Sequence, residues 1–250
     1  MKKLTSVTKH YLLDFSFRLA VFLFIGAVYL LAPQRLDFTR PGLPSLPLLV
    51  LWVAVLCSIL IQLNPNSRLT TGCLKQYPSR FDPVPNYDQA QLDQAVRVQN
   101  RGAAKVAALW LGVNLIIGAL YQRGLLRVST LVLLCAFYYL CDLICVLFYC
   151  PFQMFLMHNR CCVNCRIFAW GSWMMAAPLM CVVHWYAQTL VWAGVVVLLC
   201  WEIRLHRHPE RFWMGSNRNL QCAHCQEQLC RYKLARPHPS QESKHDQASA

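Results

Sequence analysis

The feature that most limits how this chain can fold is a series of long, nearly uninterrupted apolar runs. The first reads "FSFRLAVFLFIGAVYLLA" over 15–32, and others cover 43–63, 103–121 and 128–150. The hydrocarbon core of a bilayer, about 30 Å thick, is crossed by about 20 helical residues, so each run is one span long. The stretch 167–203 is too long for one span and fits two helices of about 18 residues, turning at the polar and aromatic "HWYAQT" of His184 to Thr189. The sequence therefore predicts an all-α polytopic membrane protein with six transmembrane helices. With 56% hydrophobic and only 14% charged residues, the chain is too apolar for an ordinary soluble domain. Lys2, Lys3 and Lys9 precede the first run, but no small-residue cleavage pattern follows it, so it reads as a retained span.

The net charge of +13 has a direct explanation in such a protein. With the N-terminus in the cytoplasm, only Arg35, Arg40, Arg123 and Arg127 fall outside, leaving 20 of the 24 Lys and Arg inside. That is the bias expected of cytoplasmic loops, and it places both termini in the cytoplasm, in a bacterial inner (plasma) membrane. No basic run is interleaved with aromatics in a nucleic-acid module, so the expected partners are the lipid bilayer and a cytosolic or membrane protein, not nucleic acid. The chain divides into a cytosolic N-terminus (1–14), helices one and two (15–63), a cytosolic loop (64–102), helices three and four (103–150), a Cys-rich loop (151–166), helices five and six (167–203), a Cys-rich segment (204–235) and a disordered tail (236–250). Within the long loop, "NYDQAQLDQAVRVQNRG" offers Asn86 as an N-cap and apolar residues at helical spacing, predicting an interfacial helix that leads into the third span.

Fourteen cysteines fall into two populations. Cys57, Cys135, Cys141, Cys145, Cys181 and Cys200 lie in the apolar runs, where cysteine behaves as a small hydrophobe. The others lie at or beyond the membrane surface and include two C-x-x-C pairs, "CVNC" (Cys162, Cys165) and "CAHC" (Cys222, Cys225). Each pair sets two sulfurs at tetrahedral metal spacing, and two pairs complete a four-thiolate shell. The 56 residues between them contain an even number of spans, so both pairs reach one face of the membrane. The segment 204–221 is long enough to fold "CAHC" back onto "CVNC". In a reducing cytoplasm such thiols bind metal more readily than they form disulfides. A closed four-thiolate shell suits structural zinc, which would make a small cytosolic metal-binding element. Cys150, His158, Cys161, His224 and Cys230 are additional candidate ligands, and an iron–sulfur cluster is the alternative centre, although C-x10-C-C-x2-C matches no common ferredoxin spacing.

A second polar feature lies within the apolar runs. Asp142 interrupts the fourth run about two turns before its cytoplasmic end, where an ionisable side chain must face protein or water. Tyr138 and Asp142 share one helix stripe with Cys135, Cys145 and Tyr149, which could line a path for an ion or small solute. Alternatively Arg18, at the same depth in the first run, pairs with Asp142 or with Asp14 one turn away. Neither a phosphate-cradling loop, a dinucleotide fingerprint, H-E-x-x-H nor G-x-S-x-G occurs, so no catalytic residues are assigned. Three functions are consistent with these features: a membrane scaffold or binding protein with structural zinc, a membrane redox protein with an iron–sulfur or reactive-thiol centre, and a transporter using the Asp142 face.

Overall fold

The computed structural model describes residues 6–39, 44–63, 80–159, 161, 164–224 and 233. The described chain is helical, without strands; a single bridge pairs Pro83 with Asn217. Its α-helices are α1 (Ser6–Leu31), α2 (Leu46–Ile61), α3 (Gln89–Gln122), α4 (Val128–Leu147), α5 (Gly171–Ala176) and α6 (Trp185–Arg207). Four of them, α1, α3, α4 and α6, are long and apolar enough to cross a membrane. The helix α2, opened by Ser45 and Pro47, has 16 residues and a rise of about 24 Å, shorter than the second run suggests.

The expected fifth span is also shorter. It forms a 12-residue run, 168–179, made of 3-, 6- and 3-residue pieces with α5 in the middle. Pro178 has no N–H to offer the carbonyl one turn back, and the run tightens to 3-10 geometry there before ending in a turn at 180–184. The turn therefore precedes the expected "HWYAQT". His184 caps α6, its Nδ1 accepting the Tyr186 N–H at 3.3 Å. Gln188 and Thr189 lie in the first turns of α6, Gln188 donating back to the Val182 carbonyl of the preceding turn at 2.9 Å and Thr189 to the Trp185 carbonyl within the helix at 2.9 Å.

The expected lead-in helix and the expected third span likewise form one helix. Asn86 adopts a left-handed φ of 58°, and Asp88, not Asn86, is the N-cap, accepting the Ala90 N–H at 2.8 Å. From there α3 runs for 34 residues, about 51 Å, well beyond a bilayer core. Ala103, Val106, Asn114 and Gly118 mark its buried face.

In packing order α1 lies on α4, α4 on α5, α5 on α6 and α6 on α2, while α3 flanks the bundle at residues 152–157 and 177–179. The α5–α6 contact depends on Gly194, where an added Cβ would lie 3.0 Å from the Trp173 Cα and 3.1 Å from the Ser172 carbonyl oxygen. Backbone cannot yield as a side chain can, so Gly194→Ala should lower stability by about 1–3 kcal/mol. Gly26, with nothing within 4 Å of its added Cβ, is the control, and Gly26→Ala should leave the thermal melt in detergent almost unchanged.

Candidate functional site

The end of α4 leads into the first Cys-rich loop through Pro151 and a π-helical turn, Phe152–Met157, closed by His158 in the left-handed region at φ 49°. The turn seats Gln153 in the interior, 1% exposed, where its polar groups need partners. Its Nε2 donates to the Asn159 carbonyl at 2.5 Å, and Lys233 donates to its Oε1. Asn159 in turn donates through Nδ2 to the Asn164 carbonyl at 3.3 Å. Asn164, the third residue of "CVNC", donates through its own Nδ2 to the Leu220 carbonyl at 2.7 Å in a buried contact. Leu220 is two residues before "CAHC". A relay of side-chain amides thus joins the end of α4 to the first Cys pair and the first pair to the segment that carries the second.

That segment is held on its other side by the loop before α3. The Val84 N–H donates to the Ser216 carbonyl at 3.0 Å and the Arg218 N–H to the Asp82 carbonyl at 2.9 Å. Asn219 donates to the Arg80 carbonyl at 2.6 Å, while Ser216 and Asn217 are fully buried. Cys222 begins a short 3-10 turn, Cys222–His224, on this platform and is exposed.

The sulfur of Cys165 is buried, 5% exposed, and receives hydrogen bonds from the Ile167 N–H and the Asn159 side chain. Burial pushes its thiol up to about 12, while these donors and the Lys233 ammonium pull the other way. Cys150, also buried, accepts the Gln153 N–H on its sulfur at 3.4 Å. Hydrogen bonds to a sulfur favour the thiolate, the form that ligates metal, although burial is the larger influence on Cys165. Among the described residues no three His, Cys, Asp or Glu side chains converge as a metal cluster. Cys162, Cys225 and Cys230 lie outside the described residues. Cys161 is half-buried, its N–H donating to Asn159 Oδ1 at 3.5 Å, and the His224 N–H donates to the Gln221 carbonyl at 3.2 Å.

Immediately after Cys165 lies a cluster that does not stand out in the sequence. Arg166, its side chain 10% exposed, donates twice to Glu202 of α6, at 2.9 and 2.6 Å, and through Nε to Asn100 Oδ1 of α3 at 2.8 Å. The Trp170 indole donates to the same Glu202 carboxylate at 2.8 Å, and the Trp201 indole to the Arg166 carbonyl at 2.7 Å. One residue past the first Cys pair, the chain is therefore clamped to α3 and α6 together.

Deeper in the bundle, Arg18 of α1 donates to Asp142 Oδ2 of α4 at 2.8 Å, to the Tyr139 carbonyl at 2.9 Å and to Asp14 at 3.1 Å. Its guanidinium lies 4.2 Å from the centre of the Tyr139 ring. Tyr138 turns instead toward α3, its ring 4.7 Å from that of Trp110. Gly171 presses against Asp142: a Cβ added there would lie 2.5 Å from Oδ1. Asp142 is thus engaged by a cation and flanked on one side by the α5 backbone at Gly171.

No family model, curated protein or solved structure matches the chain.

Proposed function

We propose that this protein is an integral membrane scaffold or binding protein in which Cys162, Cys165, Cys222 and Cys225 hold a structural zinc that joins the loop before the fifth span to the segment after the sixth. The observation that carries this reading is the buried Asn164–Leu220 hydrogen bond, 2.7 Å long, which brings together segments 56 residues apart in sequence. The N–H donors to the Cys165 sulfur support thiolate ligation at the first pair. When bound, zinc would contribute its binding free energy to folding and close the loop between the two pairs. Arg166 and its partners would transmit that rigidity to α3 and α6, producing a firm cytosolic surface for a protein partner. The four long apolar helices support a membrane-embedded protein; six crossings of a bacterial inner membrane with both termini inside are part of the proposal and rest on the apolar runs and the distribution of Lys and Arg in the sequence. The Arg18–Asp142 ion pair favours a structural role for Asp142 over transport.

Elemental analysis and an absorption spectrum on protein purified without oxygen test this reading. About one zinc per chain in colourless protein is expected, and Cys162→Ser or Cys222→Ser should lower both zinc content and melting temperature. Iron with visible absorption would replace this reading with an iron–sulfur redox centre, and metal-free protein of unchanged stability would leave the four cysteines without this role.

A further inference from the structure

The face of α3 turned away from the bundle carries an arrangement unrelated to the cysteines. Arg97, Arg101 and Lys105 follow one another at four-residue steps, all exposed, and none forms an ion pair with a described residue. Asp93, one turn earlier on the same row, accepts a hydrogen bond from Gln89 at 3.2 Å. Further along this face come Ala108 and Gly112, then Leu115, 69% exposed; a Cβ at Gly112 would meet nothing within 4 Å. Three cations thus stand directly above a shallow apolar groove. We infer that this face binds a phospholipid with a polyanionic head, its phosphates engaging Arg97, Arg101 and Lys105 and an acyl chain lying along Ala108 and Gly112.

Depth and charge determine the kind of lipid. Lys105 falls in the first turn of the 103–121 apolar run, at the level of the glycerol and diester groups, and Arg97 lies about 12 Å further along the helix. The headgroup layer on each side is about 5–8 Å deep, so Arg97 rises above a single diester plane. Three cations also exceed the one negative charge of a simple diester head, whereas a head with two phosphates side by side comes closer to balancing them, the long side chains of Arg97 and Arg101 reaching down toward that plane. Small residues at four-residue spacing are also the pattern of small-x-x-x-small helix pairs, which makes a second copy of the chain the competing occupant. A parallel two-fold pair on this face would set Arg97, Arg101 and Lys105 against their own counterparts, and that repulsion favours lipid as the occupant.

Native mass spectrometry of the purified full chain in detergent tests the inference, with cardiolipin (two phosphates), phosphatidylglycerol (one) or phosphatidylcholine (no net charge) added. Cardiolipin should be retained preferentially, and each Arg97→Gln, Arg101→Gln or Lys105→Gln change should weaken retention roughly fivefold, the triple variant on the order of a hundredfold. Gly112→Leu, which fills the groove without altering charge, should weaken cardiolipin retention while the helix remains folded by circular dichroism. Equal retention of cardiolipin and phosphatidylglycerol would overturn the inference. So would triple-variant retention matching the wild type, or a dimer abolished by Gly112→Leu but unaffected by the triple change.

Discussion

Glu202→Ala is expected to lower stability by about 3 kcal/mol, the low end of the cost of removing one partner from a buried ion pair, because the Glu202 side chain keeps 30% exposure. The carboxylate of Glu202 accepts both terminal donors of Arg166 and the indole N–H of Trp170, so truncation strands three donors at once. Arg166 cannot turn to water, because its side chain is only 10% exposed and its Nε is already directed at Asn100. Glu202→Gln should be milder, since the amide oxygen keeps one charge-assisted bond, whereas the bidentate geometry is lost. The discriminating measurement is a double-mutant cycle of thermal or denaturant melts. Combined with Arg166→Ala, Glu202→Ala should destabilise far less than the sum of the two single changes, because the second truncation removes the charge stranded by the first. Additive losses would mean that the two side chains contribute independently and that the clamp is not a coupled unit.

The legible parts of the fold were those with a simple physical signature. The long helices α1, α3, α4 and α6 arise from uninterrupted apolar runs, which alone suffice for a helix whose surroundings are apolar. The fifth run departs from its expectation because hydropathy is indifferent to hydrogen-bond geometry: Pro178 breaks a stretch whose apolarity is continuous, while the polar His184, Gln188 and Thr189 look like a turn yet form the N-cap and first turns of α6. The N-terminal half of α3 is legible as a periodic pattern, but its continuity with the apolar half is not, because hydropathy falls where backbone hydrogen bonding continues. At the site, C-x-x-C spacing and the even number of runs indicated which segments should meet. The groups that join them, Gln153, Asn159 and Asn164, could not be inferred, since a buried amide has no spacing rule and is recognised only by its partners. Glu202 lies two residues from Arg204 in sequence, yet the fold pairs it with Arg166, 36 residues away.

Arg18→Ala should have the second large effect, about 3 kcal/mol, because it leaves Asp14 and Asp142 as unpaired carboxylates between α1 and α4. The helix α1 packs chiefly on α4, so the ion pair lies within its main attachment to the bundle. The 35% exposure of the Asp142 side chain faces the surroundings of a span, where apolar lipid would replace the water that normally screens a charge. Asp14→Asn should change little, about 0.3–0.5 kcal/mol, because its contact is a local i,i+4 pair with a partner already engaged by Asp142. Asp142→Asn should be intermediate, retaining an acceptor for Arg18 while losing the opposing charge. Gly171→Ala tests the same contact from α5, since the new methyl group must displace the Asp142 carboxylate from beneath Arg18. The expected order of melting temperatures in detergent is therefore Asp14→Asn above Asp142→Asn above Arg18→Ala. Arg18→Ala melting with the wild-type protein would show that apolar packing alone holds α1 to α4. In that case Asp142 would regain its standing as a functional acid, because an uncompensated carboxylate within a span would no longer be explained by structure.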